Sequence, residues 1–293
     1  MTIKTTSSRK LYFRRRQLFI SELSFKFSSP SMVFGKDLVK NATLLANLVD
    51  HIEIVLFHTP ELHNIPGAGS IEYLKKIGEA NNTSYSVHLP ASLEIASRDR
   101  KKRKESIQLA VDIIKRMNTL NPLHHIIHIP FTIPTLTPES GVYFYRHQGK
   151  QFNDWTPRAL NSLKELKAKI GQGTKILVEN INYSPLFLEP FLSTELCGLC
   201  LDLGHLLLGH ENVMDTLRYY LNITEEVHVH GVLDDQEHLS LSVLPAEKVS
   251  KWVRFLWQSG YKGIVNLEVF TPADLEESIN IMSEIISVFS KKN

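Results

Sequence analysis

Residues 199–209 read Leu-Cys-Leu-Asp-Leu-Gly-His-Leu-Leu-Leu-Gly, and this stretch decides how the rest of the chain is read. Gly198 to Leu201 is a short apolar run of strand type. Asp202 falls where that strand should end, and His205 follows three residues later. A carboxylate at a strand tip and an imidazole one turn further on can reach a single cation. Gly204 between them is expected to let the backbone bend tightly. The alternative is an Asp that caps a helix beside an unrelated His. What separates the two is whether other strands of the chain end in the same way.

They do. Outward from this stretch, strand-type runs occur at 25–27, 52–57, 85–89, 126–129, 175–180, 198–202, 226–230 and 263–269. Helical periodicity marks 36–50, 70–80 and 105–117, the last with a stripe of Ile107, Val111, Ile114 and Met117. Thr156-Pro157 opens another helix, cap residue first and proline at the first helical position. The strands are too continuously apolar to be half exposed, and they alternate with helices. That pattern predicts a parallel sheet covered by helices. Eight such units predict a (β/α)8 barrel, whose active site lies at the C-terminal ends of the strands.

The candidates line up at those ends: His88, His128, Glu179, Asp202, His205, His228 and Glu268 as metal ligands, contributed by six strands. His230, Asp235 and His238 are further candidates, as ligands or as supports of ligands. Mixed imidazole and carboxylate donors suit Zn, Mn or Fe. One catalytic metal takes three or four protein ligands, so this excess predicts two or three divalent transition metals. Glu179 and Glu268 are the expected bridging carboxylates, and with His128 the expected catalytic residues. Clustered metals suit phosphoester hydrolysis, where they clamp the attacking and leaving oxygens. The aromatic segment from Pro130 to Trp155 offers Tyr143, Tyr145 and Trp155 to the apolar face of a large ligand.

Composition narrows the field. The 293 residues carry a net charge of +2, which gives no global attraction to nucleic acid or to a membrane surface. No apolar run approaches the length of a membrane span. Cys197 and Cys200, spaced C-x-x-C, are expected as buried thiols in a reducing compartment, so a cytoplasmic protein is expected. Residues 1–21 are basic and free of acids, and read as a disordered extension; a transit peptide or an early start codon would look the same. Residues 22–293 read as a single barrel domain. The basic run from Arg98 to Lys104 is expected to be a solvated helix start.

The motifs Tyr-Ser-Val-His88, Ile-Ile-His128, Val-Glu179-Asn180, Asp202-x-x-His205, His228-Val-His230 and Asn-Leu-Glu268 resemble the metal motifs of the endonuclease IV / xylose isomerase-like TIM barrels. The resemblance spans about residues 25–290, with all six motifs in order. It implies a trinuclear zinc cluster as in the endonucleases, or the smaller ligand set of the sugar isomerases. His88 and His128 favour the phosphodiesterase branch. The endonucleases follow strand seven with Asp-x-His, whereas Asp235 and His238 here are three apart, so two metals are the firmer expectation. The chain is also similar to the cobamide-remodelling phosphodiesterase family, CbiR. The stretches that carry this are Glu53-Ile-Val-Leu-Phe57, Glu61-Leu-His-Asn-Ile-Pro66, Val87-His-Leu-Pro90, Val178-Glu-Asn180, residues 200–210, Val229-His-Gly-Val232, His238-Leu-Ser-Leu241 and Leu267-Glu-Val-Phe270. That likeness implies hydrolysis of the phosphoester in the nucleotide loop of a corrinoid such as pseudocobalamin. The alternatives are a sugar isomerase or epimerase, an apurinic DNA endonuclease, and a non-catalytic corrinoid-binding protein.

Overall fold

The computed structural model describes residues 23–131, 149–181 and 183–290. Ten strands lie within them: β1 (Lys26–Pro30), β2 (His51–Val55), β3 (Ser84–His88), β4 (His125–Ile127), β5 (Ile176–Glu179), β6 (Gly198–Asp202), β7 (Thr224–Val229), β8 (Gly231–Leu233), β9 (Gln236–Leu239) and β10 (Ile264–Leu267). Eight close into a parallel barrel in the order β1-β2-β3-β4-β5-β6-β7-β10, while β8 and β9 form a separate antiparallel hairpin. The fold is the expected (β/α)8 barrel. The hairpin is the addition, and it leaves the barrel between β7 and β10.

The helices are α1 (Leu38–Leu45), α2 (Ala68–Asn81), α3 (Arg100–Met117), α4 (Gly149–Ile170), α5 (Glu189–Leu192), α6 (Leu203–Leu208), α7 (Val213–Tyr220), α8 (Ala246–Gln258) and α9 (Pro272–Ser290). The stripe on α3 is buried as its periodicity predicts, and Asp99 caps the helix by accepting from the Lys101 and Lys102 amides. The basic run beside that cap is largely a solvated surface, with Lys101 and Lys102 reaching Glu105 and Glu94. Helix α4 differs from expectation: it starts at Gly149 and carries Pro157 in its interior. Proline removes one backbone hydrogen bond there. Trp155, Ala159, Leu163 and Leu166 are all buried on one stripe that crosses Pro157, and that packing holds the helix through the break. Residues 1–21, Tyr143 and Tyr145 lie outside the described residues.

The main apolar core fills the space between barrel and helices, and Ile126, Leu177 and Cys200 make a second, separate cluster. These three sit on consecutive strands, β4 to β6. The other strands bury polar groups instead: Ser28 on β1, Glu53 on β2, Ser86 on β3, Glu226 on β7 and Asn266 on β10, all fully inaccessible. Buried charge of this kind is costly unless it serves a partner or an ion. Both cysteines are free thiols, Cys200 buried and Cys197 half-buried.

Candidate active site

Asp202 ends β6 and caps α6, its Oδ1 accepting the His205 amide at 2.6 Å. The capping and ligand readings of Asp202 are therefore compatible, because Oδ2 is buried without a hydrogen-bond partner. Gly204 lies inside α6 and has no left-handed backbone, which corrects the expectation of a tight bend. Its role is space: a Cβ there would collide with the ring of His230. Asn180 staples β5 to β6. Its Oδ1 accepts the Asp202 amide at 2.8 Å and its Nδ2 donates to the Asp202 carbonyl at 2.9 Å.

Three groupings converge at this end of the barrel. In the first, Nε2 of His88 and Nε2 of His128 approach Glu179 Oε2 at 2.9 and 3.0 Å. His88 Nδ1 donates to the Leu89 carbonyl at 2.8 Å, which aims Nε2 at the site. In the second, Glu179, Asp202, His228 and Glu268 bring one ligand atom each within 4.8 Å of one another. Glu179 Oε1, Asp202 Oδ2, His228 Nδ1 and Glu268 Oε2 are all buried with no hydrogen-bond partner. Four orphaned donors of mixed nitrogen and oxygen type at one point are what a transition-metal ion satisfies. Glu179 belongs to both groupings, one oxygen in each.

In the third grouping His205 Nδ1 donates to the Asn180 carbonyl at 2.9 Å and His238 Nδ1 donates to the Glu268 carbonyl at 3.1 Å. Each Nε2 is thereby turned toward Glu237, at 3.5 Å from His205 and 3.6 Å from His238. A backbone carbonyl that fixes the far nitrogen is the usual support of a metal-binding imidazole. Asp235, the expected acid of this group, is instead exposed in the hairpin turn with φ 61° and joins no metal-capable grouping. Glu237, also exposed, stands beside the two imidazoles but joins no such grouping; the third one is His205, His230 and His238. His238 has φ 59°, which breaks strand alternation and lets adjacent residues both face the site.

The charges are mutually stabilising. Burial alone would lower His88, but its hydrogen bond to Glu179 and the charges of Glu53 and Glu179 outweigh it and raise the imidazole to about 9. Burial opposes ionisation of Glu179 too, yet His228 and His128 bring it well below the ordinary carboxylate range. Asp202 is likewise lowered against burial by His205 and His230. His205 is raised against burial by Asp202 and Glu237. Beneath the mouth, Glu53 Oε2 stands 3.0 Å from His228 Nε2, off the ring N–H axis, and Glu226 Oε1 stands 3.6 Å away. Sequence reasoning missed Glu53 and Glu226. The signal at Glu53 is a lone acid between apolar strand residues, whereas Glu226, next to Glu225, carries no such signal.

Residues 44–285 match the profile of the xylose isomerase-like TIM barrel family. The chain belongs to that family. No curated protein matches it. Among similar solved structures, a D-tagatose 3-epimerase-like protein is 22% identical at a TM-score of 0.70, covering 92% of this chain and 99% of its own. The IOLI protein with a binding zinc atom is 14% identical at TM-score 0.67, covering 90% and 98%. Endonuclease IV from Thermus thermophilus is 14% identical at TM-score 0.64, covering 89% and 99%. At these identities the likeness is one of fold.

This xylose isomerase-like barrel opens at its mouth into a cavity of about 430 Å³. His88, His128, His205, Glu237, His238 and Glu268 line it together with apolar Val55, Phe57, Ile181, Leu208 and Phe270. Trp155 takes no part, which corrects its assignment to substrate. It is 2% exposed, donates from Nε1 to the Pro130 carbonyl at 3.0 Å, and packs against Phe131, Tyr183 and Phe191. Among the described residues no helix is long and apolar enough to cross a membrane.

Proposed function

We propose that this chain is a metal-dependent phosphodiesterase that hydrolyses the phosphoester in the nucleotide loop of a cobamide. The observation that carries the hydrolase class is Glu179, whose two oxygens serve two neighbouring ligand groupings. Glu179, Asp202, His228 and Glu268 would hold one ion, and His88, His128 and Glu179 a second. His205 and His238, grouped with His230, mark a third position. Divalent ions bound there would polarise the phosphate oxygens and make a bound water acidic enough to serve as nucleophile. The chain's own work is to aim ligands and exclude solvent. Backbone carbonyls orient His88, His205 and His238, while Phe57, Ile181, Leu208 and Phe270 form the dry wall. The corrinoid assignment rests on the likeness of residues 200–210, 229–232 and 238–241, among others, to CbiR. A cavity of this size admits the nucleotide loop, and the much larger corrin ring would stay outside.

A second reading, sugar epimerase, is supported by the fold likeness to the D-tagatose 3-epimerase-like protein. It needs only the four-residue grouping. One experiment divides them: the protein loaded with zinc or manganese is incubated separately with pseudocobalamin, ketohexoses and abasic duplex DNA. Mass analysis should find a cobinamide product. Sugar epimerisation, or strand cleavage, without cobamide turnover would overturn the proposal.

A further inference from the structure

His230 joins the barrel to the hairpin. It follows β7, immediately precedes β8, and is fully buried. Its Nδ1 accepts the backbone N–H of His238 at 3.0 Å. Its Nε2 stands 3.3 Å from Asp202 Oδ1, off the ring N–H axis and without a hydrogen-bond partner. His205 and His238 also approach this ring closely enough to share an ion. A neutral imidazole has one N–H and one lone pair. With the lone pair of Nδ1 turned to His238, the proton belongs on Nε2, on the side of the Asp202 carboxylate, which leaves Nε2 no lone pair for an ion. The opposite tautomer would satisfy the Gly231 carbonyl at 3.2 Å. It would also set two N–H groups against each other at His238 and leave a lone pair facing a carboxylate. The ring fits here only because residue 204 has no side chain.

We propose that His230 is a positioning residue and not a metal ligand. It holds Asp202 with one oxygen fixed and the other turned to the metals, and it ties that carboxylate to the hairpin carrying Glu237 and His238. Asp202 Oδ1 accepts the His205 amide and has the His230 ring 3.3 Å away on its other side. Its Oδ2 is left as the orphaned atom among Glu179, His228 and Glu268. The hairpin turns through Asp234 and Asp235, both in left-handed conformations. Its approach to the mouth thus depends on an anchor of this kind. The inference rests on the metal-centre reading, but not on the identity of the substrate.

The test uses the full chain stripped with a chelator and titrated with zinc. His230→Ala should keep the zinc stoichiometry and weaken affinity by roughly 10- to 100-fold, the usual cost of losing a support of a metal ligand. His230→Gln can still present an N–H toward Asp202 and should recover most of that loss. Gly204→Ala should resemble His230→Ala, because it displaces the same ring. In nitrogen-15 spectra His230 should show a protonated Nε2 and an unprotonated Nδ1, both with and without zinc. Loss of one zinc equivalent in His230→Gln would make His230 a ligand and overturn the proposal. So would His230→Ala affinity within twofold of the parent, or a protonated Nδ1. If His230→Ala fails to fold, the glutamine variant and the spectra decide. If the parent protein takes up no zinc, the metal-centre reading fails separately, and the His230 tautomer still decides the lock.

Discussion

The mouth and the lower end of this barrel hold the same residue types and use them in opposite ways. At the mouth, Glu179, Asp202, His228 and Glu268 turn buried, unpartnered atoms toward a common point. At the lower end each of the three histidines has one nitrogen partnered within the chain, and the atoms left over, His51 Nε2 and His125 Nδ1, join no metal-capable grouping. His124 Nε2 meets Glu226 Oε2 at 2.5 Å, His51 Nδ1 meets Ser84 Oγ at 2.8 Å, and His125 Nε2 donates to Asn118 Oδ1 at 2.8 Å. A histidine-rich barrel is therefore not a metal site throughout. Convergence of lone pairs distinguishes a place for an ion from a place where polar groups satisfy one another.

The largest effect should come from breaking the mouth at its shared residue. Glu179→Ala removes a ligand from both groupings, so metal content should fall below one equivalent by elemental analysis. Activity should drop by at least about 10³-fold, since more than one source of transition-state stabilisation is lost. An active variant with two ions bound would mean that Glu179 does not bridge.

The converse substitution tests the lower end. Glu226→Ala leaves the buried His124 without its carboxylate, and removing one partner of such a pair costs about 3–5 kcal/mol. Denaturant titration should show that loss with the zinc stoichiometry at the mouth kept, the 3.6 Å approach of Glu226 to His228 acting on affinity alone. A metal-free Glu226→Ala protein would show that mouth and lower end are one unit.

The difference between the two ends also explains what the sequence discloses. Buried parallel strands appear as continuous apolar runs, so a polar residue at the end of such a run stands out, and His88, Glu179, Asp202 and Glu268 could be picked on that rule. Glu53 and Glu226 lie inside their strands, where the rule does not look, although they back His228 from below. Asp235 and Glu237 could not be told apart, because the left-handed backbone at His238 is invisible in residue order. The part Gly204 plays is not legible in residue order, because the ring it makes room for, His230, is remote in sequence. Trp155 reads equally well as ligand platform or core until its burial is known.

Within the mouth, the two main groupings can be separated. His128→Ala should remove the ion nearer His88 and leave the four-residue grouping loaded. On the phosphodiesterase reading the cost is on the order of a hundredfold in turnover, with circular dichroism unchanged and about one ion retained. Near-parental turnover would confine the chemistry to the four-residue grouping, as the epimerase reading requires.

The smallest effect is one of pH, and it should have opposite signs at the two ends. His125 is buried, and burial lowers it from the ordinary 6.5 to about 3. The unfolded chain takes up a proton below 6.5 that the folded chain refuses until about 3. Its contribution to stability is thus complete above 6.5 and shrinks as pH falls through that window, by up to about 1.4 kcal/mol per pH unit. His88 is raised to about 9, so in the metal-free protein its contribution is complete below 6.5 and is lost as pH rises through 9. Denaturation midpoints of the metal-free protein should therefore decline toward both acid and alkali. His125→Gln, which keeps a donor for Asn118, should flatten the acid limb by about one proton and leave the alkaline limb alone. An acid limb unchanged in that variant would show that His125 does not carry the lower end's sensitivity to acid.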